Sequence, residues 1–241
     1  MISFVVPAHD EEALIEHTLA CLRAAAEPTG RPYEVVVVDD ASSDRTAAIA
    51  WAAGARVVYV AHRQISATRN TGARAANGDV LFFVDADTVV EPPTLAAALA
   101  ALDAGAAGGG AMIRFDGAVP LHGRVFEHVV SPLFRLAGLA AGCFVFCTRA
   151  AFEGAGGFRE DVFAAEEVWM SLGLRRQGRF VVLPQRVITS GRKMRAYSAR
   201  EMLVLLAAIV LRPARLRDRE HLGLWYQRRG DTVTPLIDRG T

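Results

Sequence analysis

The chain of 241 residues has one lysine, three cysteines and almost no net charge, and each shortage excludes something. Cys21, Cys143 and Cys147 are odd in number and form no C-x-x-C pair. That argues against a disulfide framework or a zinc site and for reduced thiols in a cytosolic setting. With 27 basic against 26 acidic residues, the chain lacks the basic excess of a general nucleic-acid binder. Long apolar runs are missing too. The longest late run, MLVLLAAIVL at 202–211, falls well short of the roughly 20 residues that cross a bilayer. The opening MISFVVPAHDEE has neither the basic start nor the apolar length of a signal peptide. A cytoplasmic protein, at most resting on the inner face of a membrane, is therefore expected. No repeat, low-complexity segment or clear linker interrupts the chain.

What is present alternates strand and helix. Ile2 to Val6 reads as a strand, and Asp10 can cap a helix with Glu11 and Glu12 at its positive end. Ile15, Leu19, Leu22 and Ala26 then share a helical face. EVVVV at 34–38 does not alternate, so it reads as a strand buried on both faces. Ser42 or Ser43 is placed to cap the next helix, which stops at Gly54. RVVYV is a third strand, and Ser66 opens a helix that closes at Asn77-Gly78. VLFFV at 80–84 is a fourth strand, and Pro92 and Pro93 start another helix. This βαβαβαβ order predicts an α/β fold with a mostly parallel sheet, flanked by helices on both faces. The second half is less regular. A helix interrupted at Pro132, a strand CFVFCTR, a helix AAEEVWMSLGLRRQG and two strands, FVVLP and RVITS, are expected there. A helical, arginine-rich tail over 201–241 follows a domain over 1–200.

In a parallel sheet all strands end at one rim, where ligands bind. Three polar clusters meet there: Pro7 to Glu12, Asp39 to Asp44, and Asp85 to Asp87. The first strand is followed by no glycine-rich phosphate loop, and PAHDEE makes that helix end acidic. A bound diphosphate would need its charge neutralised elsewhere. Asp85 and Asp87, one residue apart, could do this by holding Mg²⁺ or Mn²⁺.

Four stretches in order, VVPAHDEE, VVVVDDASSDRT, SATRNTGARAANGDVLFFVDADTVV and GGFREDVFAAEEVWMSLGLRRQG, resemble the family 2 glycosyltransferases of the GT-A fold, across roughly residues 2–180. The resemblance implies transfer of a sugar from a nucleotide-diphosphate sugar, of UDP or GDP type, to an acceptor hydroxyl that is small, lipid-linked or polymeric. It implies a nucleotide-sugar half over about 1–115 and an acceptor half over about 116–200. Pro7, Ala8, Asp10 and Glu12 would line the nucleotide, and Asp39 with Asp40 would bind base or ribose. Arg69-Asn70 would sit near the nucleotide, the arginine able to face a phosphate. Asp85-Ala86-Asp87 matches the D-x-D motif, with Asp87 and then Asp85 as metal ligands. Glu166-Glu167 stands where the family has an acidic pair holding the catalytic base. With one base and no covalent nucleophile, inversion is expected. Arg192, Lys193 and Arg195 either cover the diphosphate or an anionic acceptor, or form a solvated loop.

Blander readings stand beside these. Arg69 can be a surface arginine, one of the two glutamates can serve only its helix dipole, and Asp44 reads as a cap. Cys143 and Cys147 read as buried, and His9, His122 and His128 as structural. Trp169 reads as packing, or else as part of an acceptor pocket. The tail either packs on the domain or an oligomer partner, or touches an anionic membrane. FVDADT also fits a haloacid-dehalogenase-like phosphatase with Asp85 as nucleophile and Asp87 as acid/base. That motif belongs in a first strand, however, and its later acidic pair is missing. A non-catalytic nucleotide-sugar binder is a further alternative. A nucleotidyltransferase would need a glycine- and arginine-rich loop after strand one.

Overall fold

A computed structural model describes residues 1–201. The expected tail helix and its arginines lie outside these residues. Strands β1 (Ile2–Ala8), β2 (Tyr33–Asp40), β3 (Arg56–Val60) and β4 (Val80–Val84) alternate with helices α1 (Ile15–Ala26), α2 (Thr46–Ala52) and α3 (Ile65–Ala75). Then come β5 (Thr88–Val89), α4 (Pro92–Asp103) and β6 (Ala106–Phe115). A continuous helical segment follows, made of α5 (Leu121–Val125), a π-turn at Phe126–Val130 and α6 (Ser131–Ala137). The chain continues through β7 (Phe144–Thr148), α7 (Arg149–Gly154), α8 (Glu166–Gln177), β8 (Arg179–Thr189) and α9 (Arg192–Ala196).

One sheet holds the eight strands of the described residues, in the order β3-β2-β1-β4-β7-β6-β8-β5. The first four are parallel, as the helical crossovers require. β7 departs from this: it runs antiparallel between β4 and β6. β6 and β8 are parallel to each other, and β5 pairs antiparallel with β8. Alternate residues of β1 feed opposite cores. Phe4 and Val6 pack with Ile15, Leu19, Leu22 and Leu95 on the α1/α4 side, whereas Val5 packs with Val38, Ala73, Phe83 and Leu174 on the α3/α8 side.

Several local expectations are corrected. Asp10 does not cap α1, which starts only at Ile15; its carboxylate accepts from Ser43 N at 2.6 Å instead. Neither Ser42 nor Ser43 caps α2, whose N-cap position is Arg45; Asp44, just before it, accepts from Thr46 N at 2.9 Å. Ser66 lies inside α3, one residue past its start. Asn77-Gly78 is no left-handed cap, since α3 ends in extended backbone at Ala76. The helix break expected at Pro132 is a π-turn before it, with Pro132 in the first turn of α6. The two strands expected after α8 are one, β8, bulged where Leu183 faces Ala111 and Arg186 faces Met112. The bulge holds Pro184, which has no N–H to give the ladder.

Candidate active site

The carboxyl ends of β1, β2 and β4 meet the first turns of α3 and α8 at one rim. Four non-glycine residues there adopt left-handed backbone: Asp10 (φ 51°), Ala41 (55°), Arg63 (51°) and Ala165 (59°). Each follows a strand or immediately precedes α8, and such conformations gather at functional sites.

The centre is Arg69. Expected near the nucleotide, or else on the surface, it is 2% exposed and so no surface arginine. Nη1 donates to Glu166 at 2.7 Å, and Nη2 donates to Asp85 at 2.7 Å and to the Gly142 carbonyl at 2.8 Å. Its guanidinium lies 5.2 Å from the Phe158 ring centroid. Asp85 of the D-x-D stretch and Glu166 of the acidic pair are thereby joined by one buried cation. Although burial alone disfavours the charge, Asp85 and Glu166 hold Arg69 above the usual guanidinium range. Glu167 is next to Glu166 but has no such partner. Burial and the Glu166 charge push its carboxyl up to about 8.

Asp87 is mostly covered, and burial raises it to about 6 against the pull of Arg192, with Glu11 and Asp85 adding to the rise. Arg192 Nη2 stands 3.1 Å from Asp87 Oδ2 and also engages Glu11, whose other oxygen accepts from Nη1 at 2.8 Å. Glu11 belongs to the Asp10-to-Glu12 run expected at the nucleotide, and the structure gives it Arg192 as a partner. Glu12 itself turns to α2, where it accepts from Arg45 N at 3.1 Å. Ala86 fixes the motif from below, its carbonyl accepting from Thr18 Oγ1 at 2.8 Å.

Ala8 lies beside Asp39 in register, with Pro7 before it on β1. Asp39 is 4% exposed; one oxygen accepts weakly from Ser42 N at 3.4 Å, and the other, Oδ1, is buried with no partner. Such an atom is costly unless a ligand donor reaches it. Asp40 is tied up differently. It accepts from Arg63 N at 2.8 Å, Gln64 N at 3.2 Å and Thr68 Oγ1 at 2.9 Å, so it sets the start of α3. Asn70 likewise clamps a loop, donating to Phe158 O and Glu160 at 2.8 Å and accepting from Phe158 N at 2.9 Å.

Arg192, Lys193 and Arg195 belong to α9, not to a solvated loop, and only Lys193 is exposed. Arg195 donates to Asp116, backbone at 3.1 Å and carboxylate at 3.2 Å, which holds it off the Asp85–Asp87 motif. Asp116 and Gly142 were invisible as site residues in the sequence; Gly142 acts through its carbonyl, which no side-chain pattern reveals. His9 bridges Arg63 and Asp10, and His122 and His128 bond to the Met194 and Arg124 carbonyls at 3.0 Å and 2.9 Å. Cys147 is buried as expected, while Cys143 is only half-buried. Trp169 is 39% exposed, with Arg159 stacked 4.5 Å from its ring centroid, so it is not a packing residue.

Among the described residues no group of three histidine, cysteine or acidic side chains could hold a metal alone. Asp85 and Asp87 supply two hard oxygen donors. That donor set fits Mg²⁺ or Mn²⁺ only when phosphate oxygens complete the shell.

Solved structures share this fold. The mannosyltransferase PcManGT from Pyrobaculum calidifontis, in complex with GDP-Man and Mn²⁺, superposes with a TM-score of 0.67 at 22% identity, over 92% of this chain and 69% of that one. S. aureus TarS 1–349 in complex with UDP-GlcNAc gives 0.63 at 21%, over 88% and 66%. These likenesses establish the GT-A arrangement. Among curated proteins, glycosyltransferase EpsJ of Bacillus subtilis (strain 168), itself uncharacterized, is 35% identical over 95 residues, 37% of this chain and 27% of its own. An undecaprenyl-phosphate 4-deoxy-4-formamido-L-arabinose transferase of Pseudomonas paraeruginosa is 34% identical over 100 residues, 39% of this chain and 29% of its own. These matches thus span less than a third of either relative's length. The model for glycosyl transferase family 2 matches residues 3–150, more than half of the sequence. The chain belongs to glycosyl transferase family 2.

Proposed function

We propose that the protein transfers a sugar from a nucleotide-diphosphate sugar to an acceptor hydroxyl, with inversion. The observation that carries this reading is the buried Arg69, which ties Asp85 of the D-x-D motif to Glu166 of the acidic pair. Donor and acceptor chemistry then share one rigid site. The base or ribose lies against Pro7, Ala8 and the unpartnered Asp39 oxygen. Asp87 and Asp85 would hold Mn²⁺ or Mg²⁺ together with the diphosphate. When bound, the ion stabilises the charge that develops on the leaving diphosphate. Arg69 pairs with Glu166, and Glu167 in its ionised form, a stronger base for its value of about 8, takes the proton of the acceptor hydroxyl. The acceptor oxygen bonds to the anomeric carbon as the bond to the diphosphate breaks, and the nucleoside diphosphate leaves. The relatives named above as GDP-Man and UDP-GlcNAc complexes support a GDP or UDP donor, and the undecaprenyl-phosphate transferase supports a lipid-borne acceptor.

Thermal-shift titration with UDP-, GDP- and dTDP-sugars, with and without Mn²⁺, tests the donor half. One nucleotide should raise Tm only with metal present. With that donor, Glu167→Gln should cut transfer by about 10²–10⁴-fold while the shift persists. Unchanged transfer in both Glu167→Gln and Glu166→Gln would remove the base assignment.

A further inference from the structure

The helical segment from Leu121 to Ala137 packs on the core through the partly buried Phe126 beside Phe115, but otherwise it is inside out. Its buried residues are small or polar: Gly123, Glu127 and Ser131. Ser131 Oγ accepts from Ile113 N at 3.1 Å, and Glu127 accepts from Phe115 N, so the segment is stitched to β6 by polar bonds. Most of its outward residues are apolar. Leu121, Val125, Val129, Leu133 and Leu136 are 45–81% exposed. Spaced three or four apart, they make one stripe along about 25 Å of helix. Scattered exposed leucines are ordinary; a continuous stripe marks an interaction surface. Arg124, His128 and Arg135 are exposed along one side of the stripe. The segment's one acid, Glu127, points inward.

We propose that this stripe is an interfacial helix that seats the protein on an anionic lipid surface. The inference rests on the proposed sugar transfer and assigns it a membrane-borne acceptor. Charge selects the occupant. A second copy would set Arg124 and Arg135 against their own counterparts. The segment beyond residue 201 carries seven arginines against four acids, so its charge does not complement the flank either. Anionic headgroups complement the flank while acyl chains take the stripe. The segment is also coupled to the chemistry. The turn after α6 places the Gly142 carbonyl on Arg69 and the Cys143 carbonyl on the Asp85 amide, and Gly142 abuts Glu167. An acceptor carried in the lipid surface therefore arrives on the side of the site that holds the base.

Flotation of the full chain with vesicles of equal phosphatidylcholine and phosphatidylglycerol, against phosphatidylcholine alone, tests this. The protein should bind the anionic vesicles, and high salt should weaken binding. The triple variant Leu121→Gln, Leu133→Gln, Leu136→Gln should lose about tenfold or more in partitioning. The double variant Arg124→Glu, His128→Glu should lose the preference for phosphatidylglycerol. Both variants should keep the wild-type Tm shift with nucleotide sugar and Mn²⁺. A wild-type chain that ignores anionic vesicles would overturn the proposal. So would a triple variant that binds as before, which would put binding on the segment beyond residue 201. A dimer on size-exclusion that the triple variant dissolves would assign the stripe to a second copy. Loss of vesicle binding with the nucleotide shift intact would leave the proposed transfer standing.

Discussion

At the scale of single residues, Arg69 carries the most. Replacing it by methionine leaves two carboxylates in or near the core without their cation, so Arg69→Met should cost about 3 kcal/mol in urea unfolding. Glu167 gives a pH signature. Its folded value of about 8 lies above the ordinary 4.5. Between those values the folded chain keeps a proton that the unfolded chain has released, so stability falls as pH rises through that window and levels off above it. In EDTA, the Tm of the wild type should drop relative to Glu167→Gln between pH 5 and pH 8. Asp87, raised to about 6, adds a slope of the same sign at lower pH. Much of this site was legible. Asp39, Asp85 and Asp87 stand at the ends of apolar runs, and a strand's end is where the chain leaves the sheet. The partners were not legible. Arg192 meets Glu11 across 181 positions, and Asp40 reaches forward to Thr68, so local pattern carries no trace of either pairing.

At the scale of elements, α3 is the piece that delivers Arg69, and it does so by lying very close to the sheet. A Cβ on Gly72 would stand 2.3 Å from Val5 Cγ1 and 2.9 Å from Val38 Cγ2. Gly72→Ala should therefore push α3 outward, cost roughly 1–3 kcal/mol, and lower transfer by moving Arg69 off Asp85. Denaturant midpoints and a donor-turnover assay measure the two effects. Helix bodies were readable from their apolar spacing; their starts were not. Asp10 and Ser43 look like caps for their own helices, yet they bond each other across two loops. A capping residue and a loop-to-loop bridge have the same chemistry, and only the approach of β1 and β2 decides between them.

At the scale of the molecule, the α/β class and the parallel first half follow from alternating apolar runs and helical crossovers. The direction of β7 does not, because an apolar run reads the same in either sense. That strand lies between β4 and β6, so nothing before Phe144 can join the two. A fragment ending at residue 115 should aggregate on expression, its β4 edge bare and β6 stranded; recovery of a soluble, folded fragment would contradict this. During synthesis the same order applies. The four parallel strands emerge first and must wait, one border open, until a ribosome has delivered some sixty more residues to close it. The interval between making β4 and shielding it is thus written into the strand order, and chaperones would have to cover that gap.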